Sequence, residues 1–233
     1  MTNELERIVD EQFSFVKALS KKENSCAVVL RHNRLDKKVV RINTTKNLEI
    51  YEMLSQINHE NLPSVLGIIK REDGFSVIEE YIDGISVAQV LENGLYNEKG
   101  ARAVCKAVAL ALDVLHRFNI IHRDIKPENI MIDAYGTVKL IDFDAARIYK
   151  HYQPTDTSFV GTAGFAAPEQ YGVNQSDART DIFAMGVLMN VMLTGEHPTT
   201  KIYKGKSGKI IRKCINVDPE KRYVSAMELY RKL

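Results

Sequence analysis

Apolar and polar residues alternate along FSFVKALS (13–20), CAVVLRH (26–32) and KKVVRIN (37–43), and the turn-rich KKENS and NRLD separate the three runs. A period of two places successive side chains on opposite faces, so each run predicts a strand, and the short turns make the set an antiparallel meander. The period then changes. In LEIYEMLSQI, residues Leu48, Tyr51, Leu54 and Ile57 recur at helical intervals, with Thr44 or Thr45 available as N-cap. VLGIIK and FSVIEEYI, joined by REDG, predict a further hairpin and complete a five-stranded sheet with one helix by about residue 82.

Asp83-Gly84 marks a boundary, and beyond it the pattern is mainly helical. Asn97 caps a segment in which Ala101, Val104, Val108, Leu112 and Leu115 form one apolar stripe. NIMID and TVKLID, joined by AYG, predict a hairpin. DIFAMGVLMNVML is apolar nearly all round, which predicts a buried helix ended by Gly195 and Pro198. Ser225 and Glu228 form a capping box that opens the last helix. The pattern therefore gives an α+β class with a sheet-rich first part and a helical second part.

Composition narrows the setting. With 45% hydrophobic residues, 233 residues can fill one core or two small lobes sharing a cleft. The 32 basic and 30 acidic residues leave a formal charge of +2, too balanced to attract nucleic acid or membrane through net charge. The opening MTNELERIVDEQ has no apolar run behind it and no later stretch reaches the roughly 18 apolar residues of a span, so a cytoplasmic protein is expected. Cys26, Cys105 and Cys214 are far apart among apolar neighbours, the pattern of buried thiols rather than of a disulfide framework or metal knuckle.

The candidate chemistry lies in IIHRDIKPENIMIDAYGTVKLIDFDAARI (120–148). Asp124, Lys126 and Asn129 share one loop, and Asp142 follows the hairpin, so carboxylates and an amide oxygen can surround one point. Such oxygen donors suit Mg²⁺. An aspartate beside a substrate hydroxyl can accept its proton, and a neighbouring lysine can neutralise charge on a transferring group.

These motifs resemble the eukaryotic-type Ser/Thr protein kinases over nearly the whole chain. HRDIKPEN resembles the catalytic loop, DFD the metal-binding DFG, and AAPEQ the APE that closes the activation segment; Asp181 opens the central helix, and Arg222 matches the arginine that pairs with the APE glutamate, here Glu169. The resemblance implies a two-lobed kinase domain over 1–233, with an N-lobe to about 82, a hinge at about 80–84 and a C-lobe from 85. It implies ATP and Mg²⁺ as cofactors, and transfer of the γ-phosphate to protein serine or threonine. It makes Asp124 the base, Lys126 the γ-phosphate partner, and Asn129 and Asp142 the metal ligands. Thr162 would be the substrate-side threonine, Glu80 and Ile82 would hold adenine through backbone groups, and Glu79 would be the gatekeeper.

Several positions depart from the family. The first strand turn, LSKKENSCAVV, has no glycine, although Lys21 and Lys22 offer charge for phosphates. The third-strand VAIK is replaced by Val39-Val40-Arg41-Ile42, where Arg41 keeps the charge as a nucleotide-binding candidate but not the shape of lysine. Its helix partner, counted back from His59, falls on Ile50, with Glu49 and Glu52 as neighbouring choices. Asp144 stands where DFG carries glycine, and is expected to restrain Asp142. Thr155, Thr157 and Ser158 are candidate phosphorylation sites that could dock on Arg123. Residues 198–217 hold Lys201, Lys204, Lys206, Lys209, Arg212 and Lys213 without an acid, either a solvated face or a dock for an acidic partner. The alternatives to a kinase are a pseudokinase that binds nucleotide or scaffolds, implied by the altered first part, and a small-molecule kinase, which Lys126 and the APE segment disfavour.

Overall fold

The computed structural model describes residues 4–22, 25–150, 162, 164–171 and 175–233. The chain forms two compact units, Met1–Asp83 and Gly84–Leu233.

The first unit contains α1 (Glu4–Gln12), β1 (Phe13–Lys22), β2 (Ser25–His32), β3 (Lys38–Thr44), α2 (Leu48–Leu54), β4 (Val65–Arg71) and β5 (Gly74–Glu80). All five strands pair antiparallel in the order β1-β2-β3-β5-β4. One helix more is present than the single helix expected. α1 is too short and polar to declare itself by periodicity, and tertiary burial fixes it: Val9 is 3% exposed and joins Leu30, Val39, Ile69 and Ile78, with Leu5 against them. Gly67 leaves the notch that Leu5 fills, because a Cβ there would collide with its side chain. Glu4 and Glu6 in the first turn suit the helix dipole, and Glu6 also pairs with Arg71 of β4 at 2.6 Å.

α2 covers the opposite face of the sheet, where the Tyr51 ring meets Phe75 edge-on at 5.9 Å. It is shorter than the expected pattern: the turn after Leu54 closes through Gln56 and Ile57. Its N-cap is Asn47 in the left-handed region (φ 65), not Thr44 or Thr45. Thr44 is still in β3, and its hydroxyl accepts from the Lys46 N–H at 3.1 Å.

The second unit contains β6 (Gly84–Ser86), α3 (Val87–Glu92), α4 (Glu98–Arg117), β7 (Ile120–Ile121), β8 (Ile130–Asp133), β9 (Val138–Leu140), β10 (Arg147–Ile148), α5 (Ala178–Thr194), α6 (Gly208–Cys214) and α7 (Ala226–Tyr230). β6, β8 and β9 form one small sheet, and β7 and β10 another. Asn97 caps α4 as expected, its Oδ1 accepting from Gly100 N–H at 2.8 Å, and Gly195 ends α5 at φ 71. Ser225 caps α7, although Glu228 reaches back to the Val224 N–H instead of closing the box. α5 is buried on nearly every side and is the centre against which α4 and α6 pack. Cys105 and Cys214 lie in this core. Burial pushes the Cys105 thiol up to about 12 and Cys214 further, so both stay protonated and inert, while Cys26 is half-exposed. Among the described residues no helix is long and apolar enough to cross a membrane.

Candidate functional site

The loop between β7 and β8 carries the first three candidate residues, and its backbone is fixed before any side chain acts. Asp181, in the first turn of α5, is completely buried; its carboxylate accepts from His122 N–H at 3.0 Å, Arg123 N–H at 2.8 Å and His116 Nε2 at 2.8 Å. Burial is the largest single influence on Asp181 and pushes its pKa up, but the His116 hydrogen bond and charge, with the backbone hydrogen bond from Arg123, outweigh it and hold it below the ordinary value. The anchored backbone lets Arg123 adopt φ 67, a left-handed conformation that a non-glycine residue does not choose unaided. His122 is buried against the Phe143 ring at 5.3 Å and bonds the Ile141 carbonyl through Nε2 at 3.2 Å. Burial lowers its pKa despite nearby Asp181, Asp124 and Asp142, so the ring is neutral.

On this frame the structure brings Asp124, Lys126, Asn129 and Thr162 together. Asp124 Oδ2 accepts from Lys126 Nζ at 2.7 Å and Asn129 Nδ2 at 2.9 Å, while Oδ1 accepts from the Thr162 hydroxyl at 2.6 Å. Lys126 Nζ also donates to Thr162 Oγ1 at 2.7 Å, so lysine, threonine and aspartate form a closed triangle. Burial pushes Asp124 up, but the Lys126 and Thr162 hydrogen bonds and the Lys126 charge bring it below the usual carboxylate range. Asp124 is therefore ionised at neutral pH. Of the carboxylate's roughly four lone-pair sites, the one that stays open beyond these three donors is on Oδ1.

Asn129 spends both hydrogen bonds of Nδ2 on Asp124, one to the side chain and one to the carbonyl at 2.9 Å, which leaves its Oδ1 for a cation. Its own carbonyl accepts from Ile141 N–H at 2.9 Å, so the hairpin brings the residue before Asp142 directly beside Asn129. An amide oxygen and a carboxylate placed this way fit Mg²⁺, with phosphate oxygens and water completing its shell. Among the described residues no cluster of three His, Cys, Asp or Glu side chains offers a rival metal site.

Asp142 itself has φ 69, but Asp144 is absent from the positive-φ residues. The position that carries glycine in DFG thus has a backbone here that accepts a side chain without strain. The Asp144 N–H donates to Asp142 Oδ1 at 3.2 Å, and Phe143 between them is 1% exposed.

The substrate-side segment is tied to the loop by residues that have no sequence periodicity. Gln170, 1% exposed, accepts from Ala167 N–H at 2.9 Å and donates to the Arg123 carbonyl at 3.0 Å. Neither Gln170 nor His116 was expected from sequence; their adjacency to Glu169 and to the last turn of α4 was the one available signal. The expected Glu169–Arg222 pair forms, bidentate at 2.7 and 2.9 Å and almost wholly buried. Gly161, Thr155, Thr157 and Ser158 lie outside the described residues.

The first unit differs from expectation at Arg41. Register pairs Arg41 with Ile78 and Val39 with Glu80, while Val40 faces Glu79, Ile42 faces Val77 and Thr44 faces Phe75. Phe75 meets α2, so Ile42 and Val40 share the α2 face and Arg41 points to the α1 face. There its Nη1 bonds Asp10 at 3.1 Å and its Nε bonds Ser76 at 3.4 Å. The ion pair expected with Glu49 or Glu52 is absent among the described residues: Glu49 is exposed, and Glu52 pairs with Lys70 at 2.6 Å. Glu79 is buried at the end of β5. Glu80 binds Ser64 through its own N–H at 2.9 Å and its carboxylate at 3.1 Å, and Ile82 follows outside any regular element.

A sequence model of the protein kinase domain matches residues 4–225. A probable myosin light chain kinase of Dictyostelium discoideum is 30% identical over 224 residues, covering 91% of this chain and 62% of that protein. A probable serine/threonine-protein kinase PknB of Bifidobacterium longum is 34% identical over 63% of the chain, and the serine/threonine-protein kinase PrkC of Bacillus subtilis 31% over 62%. The chain spans only 23% and 22% of the length of these two bacterial proteins. Protein kinases generally use ATP and Mg²⁺. The extent of the family match, together with the loop geometry, establishes that this chain belongs to the protein kinase family.

Proposed function

We propose that this domain transfers the γ-phosphate of ATP to serine or threonine hydroxyls of proteins. One observation carries the reading: Asp124 is ionised and buried, and receives Lys126, Asn129 and Thr162 on defined oxygens. The substrate oxygen forms a bond to the γ-phosphorus, the bond from that phosphorus to the β–γ bridging oxygen breaks, ADP leaves, and the hydroxyl proton passes to Asp124. Lys126 offsets charge on the transferring group, and Asn129 and Asp142 would hold Mg²⁺, which would supply charge neutralisation to the phosphates. Serine/threonine specificity is supported by Lys126 bonded to Thr162 and by the likeness to bacterial serine/threonine-protein kinases. In this reading the two units are the two lobes, and backbone groups of Glu80 and Ile82 recognise adenine.

Arg41 has no part in it, because its guanidinium is engaged on the α1 face. Exposed Lys204, Lys206, Lys209 and Arg212 offer a surface for an acidic partner, whereas Lys201 and Lys213 pair with Glu196 and Glu228 at 3.2 Å each. Binding of an acidic peptide that did not weaken with salt would remove that partner. The enzymatic reading is tested by ³²P transfer from γ-labelled ATP to protein. Incorporation should require Mg²⁺ and fall at least about 100-fold in Asp124→Asn. Nucleotide binding without transfer in the unaltered protein would instead leave a binding module.

A further inference from the structure

The segment that follows α5 reaches the substrate side of the loop through one imidazole. His197 Nε2 lies 2.7 Å from the Gly164 carbonyl oxygen. Its other nitrogen, Nδ1, faces two donors, the Thr199 hydroxyl at 2.7 Å and the Thr199 N–H at 3.3 Å. A ring nitrogen that accepts on Nδ1 carries its proton on Nε2, so this arrangement selects the tautomer that donates to Gly164.

The imidazole is held by a rigid mount. Asn190, completely buried in α5, donates to the Glu196 carbonyl at 2.8 Å and the Lys201 carbonyl at 2.7 Å, on either side of His197, and accepts from Tyr203 N–H at 2.9 Å. Gly164 has φ 90, a conformation that a side chain would strain. The peptide unit that follows it is fixed at both ends: its carbonyl accepts from His197, and its N–H, that of Phe165, donates to the Thr162 carbonyl at 3.0 Å. Thr162 in turn donates its hydroxyl to Asp124 at 2.6 Å.

We propose that His197 is a positioning residue for the protein substrate: by clamping the Gly164–Phe165 peptide it sets residues 164–167, and through Thr162 their register against Asp124. The proposal rests on the kinase reading for its kinetic consequence, but the clamp itself can be measured without activity. His197 touches no reacting atom in this scheme. It acts on peptide recognition and leaves nucleotide recognition alone.

The test pairs His197→Ala with His197→Gln, whose amide N–H can replace the Nε2 donor. The substrate is the best peptide from a degenerate serine/threonine library. In His197→Ala, the peptide KM should rise about tenfold, which is about 1.4 kcal/mol, with the ATP KM changed less than about twofold; His197→Gln should recover most of the loss. Amide exchange at Phe165 should quicken at least about tenfold in His197→Ala and return towards normal in the glutamine variant. Thr199→Val, which keeps the ring but removes the tautomer-setting hydroxyl, should give a smaller rise in peptide KM. An unchanged Phe165 exchange rate overturns the clamp even if the unaltered protein transfers no phosphate. Faster exchange with an unchanged peptide KM in an active enzyme, equal losses for ATP and peptide, or failure of glutamine to rescue would overturn the positioning role while leaving the kinase reading intact.

Discussion

In the second unit, Asp124 collects donors from Lys126, Asn129 and Thr162, and the loop beneath it hangs on the buried carboxylate of Asp181. In the first, Arg41 turns to Asp10 and Ser76, and Ile42 occupies the sheet face that α2 covers. The difference is one of wiring. The motif residues of the second unit are connected by buried hydrogen bonds whose loss would strand polar groups, whereas the corresponding positions of the first are filled by packing and by surface ion pairs. The family's motif positions are therefore joined to one another in the second unit, whereas Arg41 is joined to Asp10 and Ser76.

The largest expected break in that comparison is at the buried pair. Glu169→Ala would leave Arg222, 2% exposed, with an uncompensated charge, and should cost about 3–5 kcal/mol of stability. Chemical denaturation of the second unit's tertiary signal would read this directly; a loss below about 1 kcal/mol would show that the pair is not the anchor described.

The second break is pH. The His122 and Asp181 pKa values both lie below their ordinary values in the folded protein, His122 by burial and Asp181 because its hydrogen bonds outweigh burial. The unfolded chain therefore binds protons first, and stability is lost as pH falls. The His122 contribution should begin to fade below about pH 6.5 and the Asp181 contribution below about pH 4. The melting temperature should decline in that order on acidification, and Asp181→Asn should flatten the more acidic part. Stability that rises as pH falls from about 6.5 towards 5 would contradict the His122 assignment, and stability that rises below about pH 4 the Asp181 assignment.

Much of the second unit was legible in the sequence because its signals are local. Asn97, Gly195 and Ser225 cap helices by short-range geometry, and the catalytic-loop residues sit within one turn of each other. Glu169–Arg222 was legible only through family resemblance, since no local pattern links residues so far apart. Gln170 and His116 were missed for the same reason. In the first unit, α1 was hidden because its apolar face is only Leu5, Ile8 and Val9, and it is held by the packing of Leu5 and Val9 on the sheet, Leu5 in the notch at Gly67. The face of Arg41 was not legible because a strand reverses faces at every residue: of Arg41 and Ile42, one had to face α1 and the other α2, and linear matching to VAIK could not say which. The helix count back from His59 to Ile50 was informative, for Ile50 is 3% exposed and no glutamate takes its place.

Asp144→Gly is a finer probe. Because the backbone at 144 tolerates a side chain, glycine there should cost about 0.4–1 kcal/mol through the unfolded chain and leave the Mg²⁺ requirement unchanged. A sharp rise in the Mg²⁺ needed for half-activity would assign Asp144 to metal binding instead. Smaller still is Asp10→Ala, which removes a partly exposed ion pair and should cost about 0.2–1 kcal/mol, more at low salt than at high. A larger loss, insensitive to salt, would mean that α1 depends on that contact more than on Leu5 and Val9.

Steady-state phosphoryl transfer by Arg41→Ala and Asp124→Asn, measured side by side with ATP varied, tests the contrast between the units most directly. The account predicts that Arg41→Ala keeps the ATP KM and kcat within about threefold of the unaltered protein, while Asp124→Asn loses at least about 100-fold in kcat with little change in nucleotide affinity. A tenfold or greater rise in the ATP KM of Arg41→Ala, with its fold intact, would contradict the account and return Arg41 to the nucleotide.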